Sequence, residues 1–139
     1  MIVPPNTKIN SEYYVQHVLR PLIEKELPKL YPNEMHKLLI DHDKAPSHTS
    51  NYTFNFLNEM KKKHGISFQN KDNIVVKGPD CSPLDFFGFG WLKYKVKERR
   101  VTTFKGFCKI IRDIWSELRV ETCLNVYESW KKHVFRFIR

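Results

Sequence analysis

Apolar residues recur at a helical spacing near the amino terminus of the chain. The pattern predicts a helix from about Glu12 to Leu27, capped by Ser11 and entered from a strand end and loop over residues 1–10. Its buried face consists of Val15, Val18, Leu19, Leu22 and Ile23. Proline has no backbone N–H, so we expect a kink or break at Pro21 and the end of the helix at Pro28.

A short apolar run, Leu38–Ile40, follows a loop over residues 29–35 and predicts a strand over residues 36–42. A second helix is expected from about Thr49 to His64, ended by Gly65 and followed by a strand over Ile66–Gln69. Its inward residues are Tyr52, Phe56, Leu57 and Met60. Residues 70–82, which include the apolar run Ile74–Val76, are predicted to form a loop.

Helical spacing dominates the remainder of the chain. Helices are predicted over Pro83–Arg99, from Thr102 or Thr103 to Leu118, and over Glu121–Ile138. The expected inward residues are Phe104, Phe107, Cys108, Ile111, Trp115 and Leu118 on the second of these, and Leu124, Tyr127, Trp130, Val134 and Phe137 on the third. The pattern therefore predicts an α/β fold with few strands and about five helices, in one domain over residues 1–139.

Two acidic residues are placed where a ligand can bind. Asp43 follows the predicted strand, and the carboxyl ends of strands are where open α/β folds bind ligands. Asp85 falls in the first turn of a helix that begins at Ser82-Pro83. Two carboxylates of this kind can share Mg²⁺, which prefers oxygen ligands. The simpler interpretation is that Asp43 is a turn residue, and its spacing alone favours this role.

These two motifs resemble the second and third acidic motifs of mariner-type DNA transposases. They read Asp-Lys-Ala-Pro-Ser-His-Thr-Ser over residues 43–50 and Pro-Asp-Cys-Ser-Pro-Leu-Asp-Phe-Phe over residues 79–87. Further similar stretches are Tyr13–Leu22, Phe86–Lys93 and Trp130–Lys132. The resemblance implies a ribonuclease-H-like catalytic domain of the acidic-triad (DDE/DDD) superfamily, in which Asp43 is the second acid and Asp85 the third. The 41 residues between them resemble the longer-spaced lineages.

The family's first acid has no counterpart in this sequence. It lies on the first strand of the family fold, whereas the first acid here is Glu12, at a predicted helix start. We therefore expect a carboxyl-terminal part of the catalytic domain that does not transpose DNA alone. In the family, two divalent ions activate the attacking oxygen and stabilise the leaving one. The resemblance implies that Asp43 and Asp85 hold Mg²⁺ or Mn²⁺ weakly. It also implies a nuclear location, DNA as the partner, and a possible homodimer.

Other residues compete for these roles. Asp41 lies two residues before Asp43 and points to the same face of a strand, so only the family motif favours Asp43. Asp80 fits a turn residue. His36, His42 and His48 recur every six residues, but no thiolate or helical histidine pair supports a zinc site. His48 matches a family position, for which a structural role or one next to the metal ligands is expected.

Charge adds weight to a polyanionic partner. The chain carries 24 Lys and Arg against 15 Asp and Glu, a net charge of +9. The basic residues Lys93, Lys95, Lys97, Arg99 and Arg100 can contact phosphates, and Trp91 and Tyr94 lie among them. A second run is Lys131, Lys132, Arg136 and Arg139. The alternative is a solvated helix face.

Three cysteines without a Cys-x-x-Cys pair indicate neither a disulfide framework nor a thiolate zinc site. No apolar run reaches membrane-spanning length, so no membrane partner is expected. Alternatives to the transposase fragment remain: a DNA-binding or structural relic without catalysis, a small α/β protein unrelated to DNA, and a chain that does not fold stably because a sheet edge is exposed.

Overall fold

The computed structural model describes residues 2–70, 72 and 82–137, with side chains through residue 135. The chain divides into two compact units, Met1–Val76 and Lys77–Arg139. The predicted loop over residues 70–82, with Ile74–Val76, lies almost entirely outside the described residues. That residues 1–139 form one domain stays a prediction.

The first unit begins with a helix over residues 11–30. Its segments are α1 (Ser11–Tyr14), two π-helical stretches (Val15–Leu19 and Leu22–Glu26) and α2 (Leu27–Leu30). The predicted cap is wrong by one residue, because Asn10 Oδ1 accepts the Tyr13 N–H at 2.8 Å. Residues 2–10 contain a turn and no strand, so the predicted strand end is also wrong.

Neither proline breaks this helix. Pro21 keeps helical torsion angles (φ −60°, ψ −38°) between the two π-helical stretches, whose wider hydrogen-bond pattern accommodates a residue without an N–H. Pro28 follows the second π-helical stretch by two residues, and the backbone stays helical through it to Leu30. The helix therefore ends at Leu30, and the predicted end at Pro28 is wrong.

The sheet of the first unit is small. After a 3₁₀ turn at Met35–Lys37, within residues predicted to be loop and strand, β1 is only Leu39–Ile40. It pairs in parallel with β2 (Ser67–Phe68), with Leu39 opposite Ser67 and Ile40 opposite Phe68. Both predicted strands exist but are shorter than expected.

The residues between the two strands form two helices rather than one. They are α3 (Pro46–Thr49) and α4 (Asn51–His64). Ser50 separates them with an extended backbone, and its Oγ accepts the Thr53 N–H at 3.1 Å. The buried Thr53 hydroxyl donates to the Ser47 carbonyl at 2.6 Å, which ties α3 to α4. Gly65 ends α4 in the left-handed conformation (φ +72°), as predicted.

The core of the first unit lies between its long helix and α4. It consists of Tyr14, Val15, Leu19, Ile23, Met35, Phe56, Leu57, Met60 and Ile66. The inward positions predicted for α4 are confirmed except for Tyr52, which is exposed. Tyr52 precedes the buried Thr53 by one residue, so its side chain points away from the core.

The described part of the second unit consists of helices joined by short non-helical segments. Helical backbone begins at Pro83, continues through a π-helical stretch (Leu84–Gly88) and α5 (Phe89–Glu98), and is followed by α6 (Phe104–Glu117) and α7 (Val120–Phe137). These bounds confirm the three predicted helices. Of the two threonines at the predicted start of α6, Thr103 is the cap, because its Oγ1 accepts the Gly106 N–H at 3.1 Å.

The burial predicted for α6 and α7 is largely wrong. Among the described residues of the second unit, only Gly88 and Ile114 are buried. The predicted inward residues Phe104, Phe107, Trp115, Leu124 and Tyr127 are exposed, whereas Cys108, Ile111, Leu118, Trp130 and Val134 are partly covered. The side chain of Phe137 lies outside the described residues. Helical spacing shows which face is apolar, but it does not provide a surface to cover that face.

The described residues thus form a helix-rich, mixed α/β structure with a two-stranded parallel sheet. None of the described helices is both long enough and apolar enough to cross a membrane.

Candidate acidic site and basic helix

Asp43 lies in the connection between the carboxyl end of β1 and the start of α3. The connection stays extended at Ala45 (φ −57°, ψ 143°), because a residue before proline avoids helical torsion angles. Pro46 then starts α3. The sequence-based placement of Asp43 after a strand and before a helix is therefore confirmed.

Local hydrogen bonds orient the Asp43 carboxylate. Its Oδ1 accepts the Ala45 N–H at 3.0 Å and lies 2.6 Å from His48 Nδ1. The Ala45 N–H, and then His48, lower the pKa of this carboxyl. The side chain is 76% exposed, so the ionised group is accessible to a cation. Asp43 therefore has the turn geometry of the simpler interpretation and also an exposed, oriented carboxylate.

Aromatic rings pack beside this carboxylate. The His48 ring centroid lies 4.1 Å from that of Tyr14 and 5.5 Å from that of His42. Burial, followed by the nearby His48, lowers the pKa of His42. Burial, followed by the Asp43 charge, raises the pKa of Tyr14 to about 12. His48 thus connects the exposed carboxylate to the core of the first unit, in line with the structural role expected for it.

The raised pKa of Tyr14 predicts a loss of stability at alkaline pH. A folded-state pKa above the unfolded value stabilises the fold fully below pH 10, and the contribution is lost as pH rises towards 12. The loss amounts to about 2–3 kcal/mol in the free energy of unfolding, measured by urea titration across this range. Tyr14→Phe should remove most of this loss. Tyr31→Phe, at an exposed tyrosine of the same unit, should retain it, and equal behaviour of the two variants would contradict the prediction.

Asp85 lies in the first helical turn of the second unit. Helical backbone begins at Pro83, and the Phe86 N–H donates to the Ser82 carbonyl at 2.9 Å. The Asp85 side chain is exposed. Its predicted position in the first turn after Ser82-Pro83 is confirmed, in a different unit from Asp43.

A divalent cation would find oxygen ligands at these positions. Asp43 and Asp85 each offer an exposed carboxylate, the donor type that Mg²⁺ and Mn²⁺ prefer. Within the described part of the chain, no three His, Cys, Asp or Glu side chains are grouped closely enough to hold a metal. The carboxylate oxygens therefore suit a divalent ion. Because the described side chains do not form a group of three donors, such an ion would need further ligands from elsewhere.

The competing acids and histidines do not gather around Asp43, apart from His42 and His48. Asp41 is exposed just after β1, and Asp80 lies outside the described residues. His42 and His48 are near each other, whereas the Cα and Cβ atoms of His36 lie against Gly65 at the end of α4.

The basic run on α5 separates into two groups. Lys93, Lys97 and Arg100 follow a spacing of four and three residues, are exposed, and have no ion pair to a described residue. Lys95 lies 3.7 Å from Glu98, and Arg99 pairs with Glu117 of α6. We call the first group, Lys93, Lys97 and Arg100, the open basic stripe. Of the five predicted DNA-binding residues, these three are the ones without an ion pair to a described residue.

The aromatic residues beside this run also differ from the expectation. Trp91 is partly covered, with its ring centroid 6.1 Å from those of Phe87 and Trp115. Tyr94 is exposed, and a hydrogen bond to Glu98 raises its pKa. In the second basic run, Lys131 pairs with Glu128 at 3.2 Å and lies over the Tyr127 ring. The side chains of Arg136 and Arg139 lie outside the described residues.

The chain matches no protein-family model, and no curated protein or solved structure is significantly similar to it.

Proposed function

We propose that the chain is the carboxyl-terminal part of a mariner-type transposase catalytic domain. It would have a partial ribonuclease-H-like fold and bind DNA in the nucleus. In this proposal Asp43 and Asp85 are two of three acids that hold divalent ions, and the chain alone does not cleave DNA. The observation that best supports the proposal is the oriented, exposed carboxylate of Asp43 at the end of a parallel strand.

The placement of Asp43 supports a ligand role for a physical reason. Parallel strands leave ligand sites at their carboxyl ends, between the strand and the next helix. Both described hydrogen bonds of the Asp43 carboxylate involve Oδ1, so a cation can approach Oδ2 without breaking either. Mg²⁺ or Mn²⁺ bound there would polarise the phosphodiester and activate the attacking oxygen. This chain's own contribution is to hold the carboxylate ionised and in one orientation.

The open basic stripe supports the DNA-binding part of the proposal. Lys93 and Lys97 lie four residues apart on α5, and Arg100 lies in the turn that follows the helix. Each of these exposed cations can contact a phosphate without giving up an ion pair to a described residue. This surface does not depend on the acids. It therefore equally supports the second candidate function, a DNA-binding protein without catalysis.

A Mg²⁺ titration followed by NMR tests the acidic site. We expect the amide signals around Asp43 and Asp85 to shift as Mg²⁺ is added, because a bound cation changes the local field. Asp43→Asn should abolish the shifts around residue 43. Asp41→Asn makes the same change two residues away on another exposed side chain and should leave them intact. Absence of shifts in the unchanged protein contradicts Asp43 as a metal ligand, and so does their retention in Asp43→Asn.

Duplex DNA binding, combined with the Mg²⁺ titration, separates the two candidate functions. We expect the affinity of the full chain to fall steeply as salt rises, because phosphate contacts release counterions. We expect no nicking with Mg²⁺, and nicking would show that the acids present suffice for catalysis. If the chain binds DNA but Mg²⁺ shifts none of its NMR signals, the non-catalytic function is favoured. If the unchanged chain binds neither Mg²⁺ nor DNA, the proposal is refuted.

A further inference from the structure

A shallow groove lies where α5 and α6 meet, entirely within the second unit. Its volume is about 520 Å³, which falls in the range of pockets that hold small ligands. Val96 and Val101 supply hydrocarbon, Thr102 and Thr103 supply hydroxyls, and no carboxylate lines it. The groove is therefore neither purely apolar nor neutral, and its charge is positive.

The positive charge comes from Lys97 and Arg100, two members of the open basic stripe. Arg100 has a left-handed backbone (φ +43°), in the position after a helix end where glycine is the usual residue. A non-glycine residue in this conformation is strained, and such strain is found where a side chain is held for a function. In the same turn, Arg99 is engaged with Glu117. In this turn, Arg99 therefore pairs with an acid, whereas Arg100 lines the groove.

Two phenyl rings complete the groove. Phe104 and Phe107 lie three residues apart on α6, on the same side of the helix, and are 55% and 41% exposed. Trp91 and Tyr94 are less suited to stacking, because Trp91 packs near other rings and Tyr94 bonds Glu98. Exposed rings beside unpaired cations form the combination that grips a single strand, where bases have free faces. In a duplex those faces are stacked on one another.

We infer that this groove binds an unpaired nucleic-acid strand, with phosphates at Lys97 and Arg100 and a base stacked on Phe104 and Phe107. The inference depends on the nucleic-acid binding proposed above and adds a preference for single strands. An acidic peptide would use the cations but would gain little from the rings. The rings therefore distinguish the two partners.

The test compares two matched variants of the full chain by fluorescence anisotropy. The probes are a labelled oligo(dT) of about twelve nucleotides and a duplex of equal length. Phe104→Ala should weaken oligo(dT) binding roughly tenfold, because one stacked base is lost. It should change duplex affinity less than about twofold, and Phe104→Tyr should restore oligo(dT) binding. Phe135→Ala removes an equally exposed ring (61%) from α7 and should change neither affinity.

Each outcome decides the matter. Equal losses in Phe104→Ala and Phe135→Ala, or parallel losses on duplex and oligo(dT), overturn the inference. If polyglutamate displaces oligo(dT) from Phe104→Ala and the unchanged protein equally well, stacking is excluded and an acidic partner is favoured. Binding of duplex but not oligo(dT) overturns this inference alone. Binding of neither refutes the proposed DNA binding as well.

Arg100→Gly provides a second test, which separates phosphate binding by Arg100 from a purely structural role. Glycine relieves the left-handed strain, so the melting temperature should hold or rise. Oligo(dT) affinity should nevertheless fall several-fold, because a phosphate contact is lost. Unchanged affinity in a stabilised variant would show that Arg100 does not serve the groove.

Discussion

Replacing Lys93 and Lys97 together with alanine is expected to lower the affinity for duplex DNA roughly 60-fold at about 0.1 M salt. Each phosphate contact releases about 0.9 of a counterion, which corresponds to about 0.9 log units at this salt concentration. Both lysines are exposed and have no ion pair to a described residue. The slope of log affinity against log salt should fall by about 1.8, measured by anisotropy over a series of KCl concentrations.

The chain itself provides the matched control. Lys95→Ala with Arg99→Ala removes the same number of charges at the same four-residue spacing of the same basic segment. These cations pair with Glu98 and Glu117, so part of their charge is already offset. We expect less than about a fivefold loss from this variant. Equal losses from the two double variants would mean that net charge, rather than the open basic stripe, governs binding.

Leu57→Ala is expected to destabilise the first unit by about 3–5 kcal/mol. Leu57 is fully buried at the centre of the core between the long helix and α4. The substitution loses the transfer free energy of the side chain and leaves a cavity that the packed neighbours only partly fill. A unit of this size has a stability of about 4–10 kcal/mol, so the change removes a large part of it. Urea unfolding followed by circular dichroism measures the difference.

Leu39→Ala makes the same chemical change at a residue that is 64% exposed. It should cost less than about 1 kcal/mol, because little apolar surface is returned to water. A large loss at Leu39 would show that β1 is covered in solution by something outside the described residues. A small loss at Leu57 would contradict the core described here.

The sequence carried enough information to place the helices and both acids. Capping preferences alone were enough to place Thr103, which caps α6, and Gly65, which ends α4 in a left-handed conformation. Asp43 was found in the same way, because an apolar run followed by Ala-Pro requires a turn between strand and helix.

The errors occurred where a local rule depends on its surroundings. The rule that proline ends a helix failed at Pro28, where the helical backbone continues from the π-helical stretch at Leu22–Glu26 to Leu30. The inward stripe of α6 was predicted from its period, which cannot show whether Phe104 and Phe107 are covered. The basic run looked uniform in sequence. The three-residue spacing of Lys95 and Glu98 predicts that they pair. Arg99 and Glu117 are far apart in sequence, so their pairing cannot be predicted from spacing.

The bond between Thr53 and Ser47 has a consequence for the acidic loop. Thr53 is fully buried in α4, and its hydroxyl fixes α3, whose His48 in turn lies against the Asp43 carboxylate. The loop therefore fluctuates with the core rather than independently of it. The entropy of ordering Asp43 is lost when the first unit folds, so a ligand that reaches this carboxylate meets a group already preorganised for it.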